Sequence, residues 1–107
     1  MMIKEWWKES KDYPQYFVSN YGRVFSTRTM RLMKPLKRKD GYISYGFTIN
    51  GKTKSKLGHQ LVLESFVGNC PEGHVGHHKN SLKSDNRLHN LEWVTCSQNV
   101  CEAWKIR

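Results

Sequence analysis

Gly76-His77-His78-Lys79-Asn80 opens the stretch that decides the fold, and it runs on through Asn86-Arg87-Leu88-His89-Asn90-Leu91-Glu92-Trp93-Val94-Thr95 to Asn99. Residues 68–90 are rich in Gly, Asn, His and Ser, the composition of a long polar loop. Leu91 to Thr95 then alternates, with Leu91, Trp93 and Thr95 on one face, and is predicted to be a strand. Thr95 and Gln98 have the spacing of a capping box. A helix is predicted to begin there, with Val100, Ala103 and Trp104 as its apolar stripe. The predicted order is a strand with two histidines, a polar loop, a second strand, and a helix with Asn99 near its start. Adjacent side chains on a strand point to opposite faces. His77 and His78 can therefore share a site only where the backbone is irregular, and the Gly76 and Asn80-Ser81 flanks favour a bulge or loop.

Upstream, the pattern is antiparallel. Tyr16-Phe17-Val18 and Arg23-Val24-Phe25-Ser26 read as short strands around an Asn20-Tyr21-Gly22 turn. Ile43, Tyr45, Phe47 and Ile49 alternate with Tyr42, Ser44, Gly46 and Thr48, which predicts a strand with one apolar face. Asn50-Gly51 then accepts the positive φ angles of a tight hairpin turn. The return strand, 52–57, is mostly Lys, Ser and Thr and is predicted to be an exposed basic edge. His59 to Val67 reads as a helix with Leu61, Val62, Ser65 and Phe66 inward, stopped at Gly68.

The chain has 107 residues, 18 Lys+Arg against 9 Asp+Glu, and a net charge of +9. That length predicts one compact unit with one modest core. Residues 23–56 hold ten cations: Arg23, Arg28, Arg31, Lys34, Lys37, Arg38, Lys39, Lys52, Lys54 and Lys56. Against them stands the single anion Asp40, so the whole excess lies in this third of the chain and the remainder is neutral. Clustered cations beside a neutral remainder suit a polyanion, because Lys and Arg release counterions from phosphates. No apolar run is long enough to span a membrane, the basic segment lacks a helical apolar stripe, and the N-terminus lacks a signal-peptide pattern. Three cysteines without a C-x-x-C pair argue against a disulfide framework or a structural zinc site and fit a reducing cytoplasm.

The stretch 76–99, with its Asn-Arg-Leu-x-Asn-Leu-Glu-Trp-Val-Thr string, resembles the HNH endonuclease family, in the branch found in phage and group I intron homing endonucleases. Glu5-x-Trp7, Val18-Ser19-Asn20-Tyr21-Gly22-Arg23-Val24, Gly41-Tyr42 and His59-Gln60-Leu61-Val62 look like the module that often precedes the nuclease motif there. The resemblance implies an α+β protein: an antiparallel β-rich DNA-contacting module over 1–67, then a ββα-metal nuclease motif over 68–107. It implies that His78 is the general base and that Asn90 braces the loop and orients it. It implies one divalent metal ion held by His77 and Asn99, with Asn86 supporting the loop through side-chain to backbone bonds. His77 stands where homing endonucleases often have Asp. Oxygen ligands suit Mg²⁺, whereas an imidazole suits Mn²⁺, Ni²⁺ or Zn²⁺ better.

The chemistry is coherent without the family. Phosphodiester hydrolysis needs a base near neutral pKa, and a cation to neutralise charge developing on phosphate. Taken singly, two histidines in a polar loop are ordinary exposed residues, and the asparagines are ordinary turn formers; their joint order points to a nuclease. His59 reads as structural, bonding backbone at the helix start. His74 and His89 read as surface, and Trp6, Trp7, Trp93 and Trp104 as core. The implied activity is cleavage of duplex DNA, by nicking if one site acts alone, with the basic segment along the backbone. Relatives often carry a further DNA-reading module, and the chain stops at Arg107. A homodimer or a protein partner is then one source of specificity. The alternatives are a catalytically weak or inactive HNH-derived DNA-binding protein and a phage factor that binds a host protein.

Overall fold

The structure is a computed structural model, and it describes residues 4–95. Two antiparallel sheets form the N-terminal part. The first contains β1 (Trp7–Glu9), β2 (Tyr16–Ser19), β3 (Val24–Ser26) and β4 (Arg31–Leu32), in that spatial order. The second contains β5 (Leu36–Lys37), β6 (Ile43–Ile49) and β7 (Lys52–Leu57), with β6 central. The predicted hairpin is present: Asn50 and Gly51 take φ of 52° and 76°, and Ile49 pairs with Lys52.

Helix α1 (Gly58–Phe66) leaves β7 without a loop and crosses to the last element pair. Strand β8 (His74–His78) pairs antiparallel with β9 (Leu91–Thr95), and a 3₁₀ turn at Leu88–Asn90 leads into β9. These two strands are the predicted pair around the polar loop. The predicted helix after Thr95, with Asn99 and Trp104, lies outside the described residues. Among the described residues, no helix is long and apolar enough to cross a membrane.

One core joins all parts. Val18 and Val24 from the first sheet, Tyr45 and Phe47 from the second, Leu61, Val62 and Leu63 from α1, and Leu91 from β9 are buried together. Tyr13 stacks on the Phe47 ring at 4.4 Å, and Tyr16 meets it edge-on at 4.8 Å. Helix α1 differs from its predicted inner face. Leu63 is fully buried, whereas Ser65 and Phe66 are half-buried. The helix lies against both sheets and the β8–β9 pair, so a single stripe does not describe what it covers. It ends as predicted: the Val67 and Gly68 amides both donate to the Leu63 carbonyl, and Gly68 takes φ of 139°.

Two further expectations are corrected. Trp6 and Trp7 are 63% and 37% exposed, not core. Trp7 lies on β1, an edge strand, on the outer face that also carries Phe17, Phe25 and Leu32, while Val18 and Val24 face the core. Strand β7 is an edge as predicted, but its lysines are not all free. Lys56 and Lys54 stand directly opposite the buried Tyr45 and Phe47, on the inner face, and Lys56 there meets Glu64 of α1 at 2.6 Å.

Candidate active site

His78 is the last residue of β8 and is 5% exposed. Its Nε2 lies 2.8 Å from the Asn86 side-chain oxygen. A carbonyl oxygen only accepts, so Nε2 carries the proton and Nδ1 keeps the free lone pair. That is the tautomer a base needs. Asn86 therefore bonds the imidazole itself, rather than loop backbone as expected from the sequence. It can do so because two glycines make room. A Cβ on Gly22 would lie 2.8 Å from the Asn86 Cβ, and one on Gly58 would lie 2.7 Å from its Nδ2. Gly22 also takes φ of 88°, so both its conformation and its size are needed. Both glycines come from the N-terminal part, which thus builds the seat of His78.

The loop after His78 is tied to itself. Asn90 is buried; its Nδ2 donates to Asn80 Oδ1 and to the Asp85 carbonyl, both at 2.9 Å, and its Oδ1 accepts from the Asn80 amide at 3.1 Å. The Lys79 amide donates to the Asn90 carbonyl at 2.8 Å. Asp85 accepts from Arg87 Nε and Nη2 and from Asn80 Nδ2, each at 2.8 Å. These bonds, that to Arg87 foremost, hold its carboxyl far below the usual carboxylate range. Asn90 makes no direct bond to His78; it acts on the loop, and Asn86 acts on the ring.

Three more groups surround His78, none of them placed at the site by the sequence reading. The His59 ring lies 4.8 Å from the His78 ring, and Tyr42 lies 5.4 Å from His59 and 5.9 Å from His78. Lys83 Nζ sits 4.8 Å over the Tyr42 ring and donates to the Asp40 carbonyl at 2.9 Å. His59 is buried as a structural residue would be, but the backbone bond expected of it is not made through Nδ1, which has no hydrogen-bond partner among the described residues. Burial pushes the His59 pKa down to about 4, with the neighbouring His78 adding to the effect. Burial likewise lowers that of His78, opposed by the Asn86 bond and assisted by His77 and Lys83. Both rings are therefore neutral at neutral pH.

His77 lies on a regular ladder opposite Glu92, and His78 lies opposite Leu91. There is no bulge, so the two side chains leave opposite faces of β8, contrary to the irregular backbone that a shared site would require. Gly76, two residues before His78 and so on its face, meets α1; His77 faces away from that helix. Asn99, its expected partner on a metal, lies outside the described residues. Among the described residues no cluster of three or more His, Cys, Asp or Glu could hold a metal. His77 nonetheless offers an imidazole donor that is half-buried rather than sealed in the core.

The ten basic residues divide. Arg23 pairs with Glu5, Arg28 donates to the Thr48 carbonyl at 3.0 Å, Arg38 meets Asp40 at 3.1 Å, and Lys56 meets Glu64. Arg31, Lys34, Lys37, Lys39, Lys52 and Lys54 make no ion pair among the described residues.

The described residues thus form an antiparallel α+β fold that closes on the β8–β9 pair, with a loop-braced imidazole at the end of β8. Residues 56–101 match the HNH endonuclease family and residues 5–48 match the NUMOD4 motif, and the chain belongs to the HNH endonuclease family. It is 40% identical over 95 residues to the DNA endonuclease I-HmuI of Bacillus phage SP01, covering 88% of this chain and 55% of that protein. It is also 35% identical over 88 residues to an uncharacterized HNH endonuclease of Acanthamoeba polyphaga mimivirus, covering 80% of this chain and 22% of that one. The solved structure of I-HmuI, described as an HNH homing endonuclease in DNA binding and cleavage, superposes with a TM-score of 0.87 at 38% identity. That match covers 94% of this chain and 58% of the I-HmuI chain. The chain thus spans little more than half the length of I-HmuI.

Proposed function

We propose that the protein is a metal-dependent DNA endonuclease that hydrolyses phosphodiester bonds and nicks duplex DNA. The observation that carries this is the 2.8 Å contact of His78 Nε2 with the Asn86 side-chain oxygen, which leaves Nδ1 as the ring nitrogen to accept a proton. Nδ1 takes the proton of the attacking water. Asn86 holds the tautomer, and Asn90 keeps the loop from moving the ring. His77, which leaves the face of β8 opposite to His78, and Asn99 would hold a divalent ion at the edge of the strand, where it would supply Lewis acidity toward the phosphate. One site of this kind cuts one strand, which is the reason for nicking rather than a double-strand cut. The unpaired cations of the 23–56 segment lie along the DNA backbone and position it without reading sequence. Residues 1–67 act as the DNA-contacting module and 68–107 as the nuclease motif, in the cytoplasm of a phage-infected bacterium. A second copy or a partner protein adds sequence specificity. His77 favours Mn²⁺ or Ni²⁺ over Mg²⁺.

The test is nicking of supercoiled plasmid in Mg²⁺, Mn²⁺, Ni²⁺ and Zn²⁺. Nicking that starts with one of these metals and stops with a chelator is the expected result. DNA binding without nicking in any of them would make the protein a nuclease-derived DNA-binding module instead.

A further inference from the structure

Gly76 and His59 fit each other in a way that the fold alone does not require. Gly76 lies in the middle of β8 and does not take up the left-handed conformation that favours glycine. Its lack of a side chain serves space: a Cβ there would lie 2.5 Å from His59 Cδ2 and 2.9 Å from His59 Nε2. The strand that carries the base therefore has a notch, and a histidine from α1 fills it. His59 is 4% exposed, yet its Nδ1 has no partner among the described residues. A leucine would fill the same space without leaving a buried polar atom unsatisfied, so core filling does not account for a histidine here. What a leucine lacks is a flat face. The His59 ring lies 4.8 Å from the His78 ring with the two planes tilted at 58°, and Tyr42 closes the group.

We propose that His59 is a positioning residue for His78: its flat ring, seated in the Gly76 notch, backs the base and, together with Asn86, fixes the direction in which His78 Nδ1 faces. This rests on the reading of His78 as the base. A hydrogen bond at Nε2 alone leaves the ring free to swing about that bond, and a second wall removes the freedom. Burial favours the neutral form of His59, so the wall adds no charge beside the base. The position on α1 makes the N-terminal part a component of the catalytic geometry.

The experiment uses the full chain. Nitrogen-15 spectra of the His78 ring, taken without metal or DNA, report its tautomer, and single-turnover nicking at saturating DNA reports the rate. Wild type is expected to show His78 as the Nε2–H form alone. His59→Leu keeps the volume and the apolar core but not the flat face. It is expected to mix the two tautomers and to lower the rate by roughly 10–100-fold, the range for a misplaced catalytic group, with DNA affinity unchanged. His59→Gln, which retains a planar end, is expected to restore most of both. Gly76→Ala, which drives a methyl group into the ring, is expected to reproduce the His59→Leu defect. A His59→Leu protein with the wild-type tautomer and rate would overturn the proposal, and so would equal damage in His59→Leu and His59→Gln. The tautomer is read without turnover. A wild type that nicks nothing would therefore strike the endonuclease reading and leave this test standing.

Discussion

The 23–56 segment and the 78–90 loop are both polar, and they use polarity in opposite ways. In the loop, Asn80, Asp85, Asn86 and Asn90 each bond another group of the site, and Asn86 and Asn90 are buried. Such a network fixes geometry, since moving one member leaves buried groups unpaired. In the basic segment, seven of ten cations have no ion-pair partner among the described residues; Arg23, Arg38 and Lys56 pair with Glu5, Asp40 and Glu64, and Arg28 donates to the Thr48 carbonyl. Unpaired surface cations fix nothing within the fold and remain available to an outside polyanion. Satisfied polarity thus marks where the protein must be rigid, and unsatisfied charge marks where it meets a partner.

The largest expected effect breaks the loop side. His78→Ala should lower the nicking rate by roughly 10²–10⁴-fold, the size of a general-base contribution, while DNA affinity stays near wild type. A wild-type rate in this variant would remove His78 from the chemistry.

Asn86→Ala should follow. It strips the buried His78 Nε2 of its acceptor and should cost about 1–3 kcal/mol of stability, read by urea unfolding. Unchanged stability would show that the bond to His78 contributes nothing.

A pH titration sharpens the same side. His59 has a folded pKa of about 4 against an ordinary 6.5. Between these values the unfolded chain binds the extra proton, so stability falls as pH drops from 6.5 towards 4. The loss should approach roughly 3 kcal/mol, since each pKa unit is worth about 1.4 kcal/mol. His59→Leu should remove that loss, and a variant that keeps the wild-type acid sensitivity would assign it to another group.

The smallest expected effect lies in the basic segment and separates its two classes of cation. Replacing Lys37, Lys39 and Lys54 with Gln should reduce the slope of log affinity against log salt by about 0.9 for each phosphate that is no longer neutralised. Replacing Arg23, Arg38 and Lys56, which already have partners, should change the slope less. Equal changes would erase the distinction between paired and unpaired cations.

How much of this was legible in the sequence depends on how local the cause is. The Ile43–Ile49 alternation, the Asn50-Gly51 turn and the Leu91–Thr95 strand rest on near neighbours, and all three stand where the sequence puts them. Strands β1, β4 and β5 have two or three residues, too few to show a period. The expected roles of His78 and Asn90 were legible as motif positions. The seat of His78 was not, because Gly22, Tyr42, Gly58 and His59 reach it from distant parts of the chain. The contact of His59 with His78 was hidden for the same reason: nothing around residue 59 announces a neighbour at 78. The partners of Arg38 and Lys56 were hidden too, since Asp40 and Glu64 become partners only through a turn and a helix packed on an edge strand.

The most direct measurement crosses the two regions. DNA affinity and saturated single-turnover nicking are measured in the same metal for wild type, His78→Ala and the Lys37, Lys39, Lys54→Gln triple variant. A clean separation is expected: His78→Ala loses rate and keeps affinity, and the triple variant loses affinity with a shallower salt slope and keeps the saturated rate. Rate and affinity falling together in both variants would contradict it, because one surface would then be serving both binding and chemistry.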